Sequence, residues 1–180
     1  MTTSSDLLDL VYQAVRDGNT DAGPRIFKPG DWPTQPDQYP IIKMRLVTED
    51  RQSISRSGPA EFITTATIRL ATEVSALATP FDAGATAAES QLWALKRQVD
   101  VAVVNSYPLM SEIQQIAAMR SQLTFTSEAA THLAGMQTDI ALEFYEGPEG
   151  FAAVQTDDLT EIDVVLPNHP PTGATFHLNQ

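Results

Sequence analysis

The sequence predicts an α+β fold, an antiparallel sheet of about four strands with two helices on one face. Three observations predict it. Apolar residues alternate with polar ones in Ile41–Thr48, in Glu61–Val74 and twice within Met119–Gly147, the period of a half-buried strand. Apolar residues recur at steps of three and four in Asp6–Asp17 and from Thr86 to about Asn105, the period of an amphipathic helix. The resulting order of helix, strand, strand, helix, strand, strand suits consecutive antiparallel strands with the helices gathered on one side.

The first helix places Leu7, Leu8, Val11, Ala14 and Val15 on one face, with Thr3 and Asp6 as a capping pair and Gly18 as its stop. From Gly18 to Pro40 five prolines predict a loop, with Ile26, Phe27 and Trp32 tucked against the core. The first strand, Ile41–Thr48, turns Ile42, Met44 and Leu46 inward. A polar loop, Glu49–Pro59, carries Arg51 and Arg56. The second strand, Glu61–Val74, is rich in Thr and β-branched residues and could extend on the order of 45 Å. That length predicts a long β-hairpin arm reaching beyond the domain.

Thr79–Gly84 is a break, and Thr86 with Glu89 matches a capping box for the second helix. Ser106-Tyr107-Pro108 ends that helix, and Leu109–Ile116 offers a short further turn. In the closing pair of strands, joined by a polar loop, Ile140, Leu142 and Phe144 face one way and Asp139, Ala141, Glu143 and Tyr145 the other. Residues 152–180 form an acidic, Pro-containing C-terminal extension beyond a domain spanning 1–151. They carry Asp157, Asp158, Glu161 and Asp163, no Lys or Arg, and one strand-like patch at Ile162–Leu166.

The net charge of −12 argues against a broad cationic surface gripping phosphates. The absence of Cys excludes disulfides and thiolate metal sites. His132, His169 and His177 lack ligand spacing, and neither a Gly-x-Ser-x-Gly elbow nor a Gly-rich phosphate loop occurs. No catalytic, cofactor-binding or metal-binding residue is therefore assigned, and no cofactor is expected. No secretory signal and no membrane-spanning run is read, which leads to a cytoplasmic expectation. The outer face of the last strand, with Asp139, Glu143 and Tyr145, and that of the second strand, with Thr65, Thr67 and Arg69, are mixed polar surfaces. Together with Arg51 and Arg56 they are the candidate subunit or tube interface; a merely wet sheet face is the equal alternative.

The order of elements and several phrases resemble the tail terminator family of long-tailed bacteriophages, also known as minor tail or tail-completion proteins. The resemblance rests on the N-terminal helix, KPGDWPTQPDQYPIIKM, FITTATIRLATEV, ESQLWALKRQVDVAVV and RSQLTFTSEAATHLAGMQTDIALEFYEGPEGF, roughly residues 6–151. It implies a non-enzymatic virion protein, assembled in the host cytoplasm, that forms a ring, typically a hexamer. The ring would sit on the head-proximal end of the tail tube, stop tube polymerisation and offer a surface to head-completion proteins. DNA would pass through its lumen without specific binding, which an acidic wall suits. Two other readings stand beside it, a head–tail connector on the portal side and a small hydrolase or ligand-binding domain.

Overall fold

The computed structural model describes residues 2–29, 33–77, 79, 83–128, 131–152, 161–164 and 174–177. Chain contacts divide it into two compact units, Met1–Gly150 and Phe151–Gln180. The first holds a five-stranded sheet in the order β1-β2-β3-β5-β4, built from β1 (Ile26–Phe27), β2 (Ile41–Ser53), β3 (Phe62–Leu77), β4 (Gln115–Glu128) and β5 (Thr131–Glu146). β1 lies parallel to β2, and every other pairing in this sheet is antiparallel. Helices α1 (Ser4–Asp17), α2 (Ala83–Val104) and α3 (Tyr107–Met110) complete the unit. The expected α+β class is what the chain adopts, with one more strand than expected. The addition is β1, whose two residues are too short to leave a periodic signal.

Period two decides which side of the sheet the helices cover. On β3, Ala66, Ile68, Leu70 and Val74 are buried; on β5, Ala134, Met136, Ile140, Leu142 and Phe144 are. These even-numbered residues share one core with Leu7, Val11 and Val15 of α1 and Leu92, Leu95, Val99 and Val103 of α2. The α1 cap is the expected one: Thr3 accepts from the Asp6 amide while Asp6 accepts from the Thr3 amide. Gly84 begins α2 so close to β3 that a Cβ there would stand 2.2 Å from the Leu77 carbonyl oxygen.

Several boundaries move. α2 starts at Ala83, one turn before the expected capping box, so Thr86 lies inside the helix. The short turn is Tyr107–Met110, and β4 begins as early as Gln115. β4 and β5 run to Glu128 and from Thr131, so the polar loop shrinks and His132 sits in a strand, paired with Ala76 and Ser127. β3 pairs with β5 along its whole length and with β2 from Phe62 to Glu73. The long hairpin is thus woven into the sheet instead of standing out as an arm, and the turn after Ser53 is what extends past it.

The first strand likewise continues to Ser53, through residues expected in a loop. A bulge explains why. Register shifts between Leu46 and Thr48, so the inward side changes from even to odd residues. Glu49 and Arg51 then sit opposite Ala66 and Thr64, on the helix side, and Asp50 opposite Thr65, on the outer side, so the polar run is a strand with exposed side chains. A second bulge, between Ile116 and Ala118 on β4, falls within one row of the first.

In the second unit β6 (Glu161–Val164) pairs antiparallel with β7 (Ala174–His177). The strand-like patch expected at Ile162–Leu166 thus falls partly in β6. Its last two residues, Trp32 and His169 lie outside the described residues.

Candidate functional site

The odd-numbered residues of β3 and β5 form the outer face of the sheet, opposite α1 and α2. Register fixes their neighbours. One row across the face reads Arg45, Arg69, Asp139, Arg120; the next reads Thr48, Thr67, Ala141, Ala118; the third reads Asp50, Thr65, Glu143, Gln115. Six of the eight sequence-predicted residues, Thr65, Thr67, Arg69, Asp139, Glu143 and Tyr145, therefore do share one surface.

Arg69 and Asp139 meet there in a two-pronged ion pair, Nε to Oδ1 at 2.7 Å and Nη2 to Oδ2 at 2.8 Å. The Arg69 guanidinium holds the Asp139 carboxyl below the usual carboxylate range, against the upward push of its partial burial. With its amide oxygen turned to the guanidinium, Gln137 accepts from Arg69 as well, at 2.9 and 3.0 Å. Gln115 donates to Glu143 at 2.9 Å. The carboxylates of Asp139 and Glu143 on β5 are thus both met by neighbouring strands. Tyr145 remains 44% exposed. Partial desolvation, then Glu61 and Glu149 nearby, raises its phenol pKa.

At the other end of β5 the face dips. Gly135 lies between Glu73 and Thr124, and its missing side chain leaves the floor of a cleft of ≈ 330 Å³ walled by Tyr39, Ala71, Leu133 and Gln137. Lys43, Thr34 and Glu73 close one side through hydrogen bonds of Lys43 to Thr34 and Glu73 and of Thr34 to Glu73.

Arg51 does not belong to this face. It points to the helix side and donates through Nε to Glu146 at 2.8 Å and through Nη2 at 3.3 Å. Glu146 is 2% exposed and also accepts from Thr64. The Arg51 contact, with the Thr64 bond, draws the Glu146 pKa down, against the burial that raises it. Arg51 also contacts Glu49 at 3.0 Å, and Glu49 accepts from Ser4 at the start of α1. Arg51 thus lies on the helix side, apart from the other candidate residues, with its side chain 43% exposed. Arg56 alone stays in the exposed turn between β2 and β3.

No protein-family model matches the chain, and no curated protein matches it.

Sequence reasoning missed Glu146, Gln115 and the Gly135 cleft. A lone Gly inside an alternating strand hints at a gap in the face, but nothing local tells which side chains wall it. Among the described residues no three His, Cys, Asp or Glu side chains gather as a metal site. No helix among them is long and apolar enough to cross a membrane.

Proposed function

We propose that this chain is a structural assembly protein of the tail-terminator kind. Its subunits form a ring, a hexamer by analogy with that family, on the head-proximal end of a phage tail tube. The ring halts tube polymerisation and presents a landing surface to head-completion proteins, while DNA passes through its lumen. Its place is the virion, reached by assembly in the host cytoplasm, and it works without cofactor, membrane or bond-making step.

One observation carries this reading: the outer face of the sheet lies opposite both long helices and is cross-linked by the Arg69–Asp139 pair and its neighbours. Subunit contacts of ring assemblies use such mixed surfaces, in which paired charges set register and small residues allow close approach. The fold class agrees with what the resemblance implies. The net charge of −12 suits a lumen that repels DNA and lets it slide.

The test is deletion of the gene followed by electron microscopy of the particles. Overlong or headless tails are expected; tailless, filled heads would instead favour a connector on the portal side. Normal particles would refute both roles.

A further inference from the structure

The second helix has an apolar side that nothing in its own unit covers. Leu92, Leu95, Val99 and Val103 of α2 are buried against the sheet, yet Trp93, Val101 and Val104 are 48%, 41% and 46% exposed. These three fall within about 80° of one another around the helix. A surface helix keeps its solvent side polar, and a helix apolar on both sides is one that is buried on both. The first helix does not supply the second cover. It flanks α2 at Ala102, which Gly18 approaches closely, and beside it Gln98 donates to Asp21 at 2.9 Å.

The order of side chains along this exposed side shows what fits it. Trp93 stands at the middle of Ala83–Val104. One turn before it is Glu89 and one turn after it is Arg97, both exposed. Among the described residues Arg97 enters no ion pair, and Glu89 accepts only the Trp93 indole N–H, at 3.3 Å. The first half of the side is built from small residues, Ala83, Ala87 and Ser90, and the second half from Val101 and Val104.

We propose that α2 is a pairing surface for a second copy of this chain, the two α2 helices lying antiparallel about a dyad at Trp93. The helices then overlap along their whole length, and the two indoles meet at the centre, where a buried aromatic anchor contributes most. Glu89 of each copy faces Arg97 of the other, so two opposite-charge contacts form from residues that the single chain leaves unanswered. The small half of each helix receives the valine half of the other. Lys96 comes opposite Ser90 and Asp100 opposite Thr86, and Lys96 and Asp100 already pair within each helix. A partner of another kind has no need of opposite charges set one turn either side of the helix midpoint; a surface that meets itself across a two-fold axis does. Helices crossing at about 20° keep residues one turn from the dyad within about 2 Å of alignment and the helix ends within about 5 Å, so the charge contacts and the small-to-large packing both persist.

The inference does not rest on the ring reading, whose face lies across the sheet from α2. A two-fold contact does not close a head-to-tail ring, so the dimer and the ring are separate predictions. Sedimentation of the purified chain tests the pairing. The wild-type protein should sediment as a dimer, and Trp93→Ala should raise its dissociation constant about tenfold or more. Glu89→Arg and Arg97→Glu should each be monomeric, since each sets like charges against one another. Mixed in equal amounts, these two single variants should pair with each other, and the double variant Glu89→Arg, Arg97→Glu should dimerise again. All these positions are exposed, so melting temperatures in dilute protein should stay close to the wild type's. A wild-type monomer at high concentration, an oligomer unchanged in size by Trp93→Ala, or single variants that stay apart when mixed would each overturn the pairing. Those results would leave the tube-capping role intact; normal tails in the deletion strain would refute that role and leave the dimer standing.

Discussion

Arg51 and Glu146 show how one side chain's surroundings set its worth. Glu146 is buried, and its charge is tolerated because Arg51 and Thr64 both donate to it. Arg51→Glu would leave two carboxylates, on residues 49 and 146, facing a third. With Arg51 43% exposed, solvent screens part of the repulsion, and we expect a loss of about 1–3 kcal/mol in urea unfolding at neutral pH. The depressed pKa of Glu146 fixes the sign of the pH dependence. Its contribution is fully present above the ordinary glutamate value of 4.5 and is lost as pH falls through the lower folded value. Glu146→Gln should therefore be less stable than wild type at pH 7, and the gap should narrow steadily as unfolding is repeated toward pH 3. A gap that widens in acid would show that Glu146 is not held ionised. The Arg69–Asp139 pair is different, because about a third of each side chain meets solvent. Asp139→Asn should cost less than about 1 kcal/mol in stability, yet fail to restore normal tails when supplied to the deletion strain. That Arg69 and Asp139 share a face was readable from period two. That they touch was not, because contact depends on which strands are neighbours, and no local pattern encodes that.

At the scale of elements, β3 and β5 were legible because both alternate without interruption through the middle of the sheet. The flanking strands β2 and β4 were misread at the points where they bulge. A bulge inserts one residue and swaps the two faces, so the alternation of β2 breaks near Thr48 and the polar run with Glu49 and Arg51 reads as a loop. β1 escaped notice for another reason: its two residues are held by the neighbouring strand, with Ile42 donating to the Arg25 carbonyl at 2.9 Å as the chain enters the sheet. Two glycines make opposite predictions about packing. A Cβ on Gly84 would stand 2.2 Å from the Leu77 carbonyl oxygen, so Gly84→Ala must push α2 off the end of β3. It should cost about 1–3 kcal/mol. At Gly135 the nearest atoms to a Cβ are 3.9 Å away, so Gly135→Val should be neutral or raise stability by about 0.5–1 kcal/mol in dilute protein. Thermal unfolding of the two variants side by side checks both. The cleft itself was beyond sequence reading, because its walls come from β3, β4, β5 and the loop that carries Tyr39.

For the molecule as a whole, the helix side supplies stability, and the outer face is the surface proposed to make contacts. The core between α1, α2 and the sheet is continuous and apolar. The opposite surface carries ion pairs, hydrogen bonds and small residues, which tie neighbouring strands together without burying them. The capping role proposed for the chain requires that this face meet other subunits at the end of a tube. Measured tail lengths in electron micrographs of the deletion strain test that most directly. The account predicts tails that run past the wild-type length and lack heads, corrected by the wild-type gene and not by Asp139→Asn. Tails of normal length joined to filled heads in the deletion strain would contradict it.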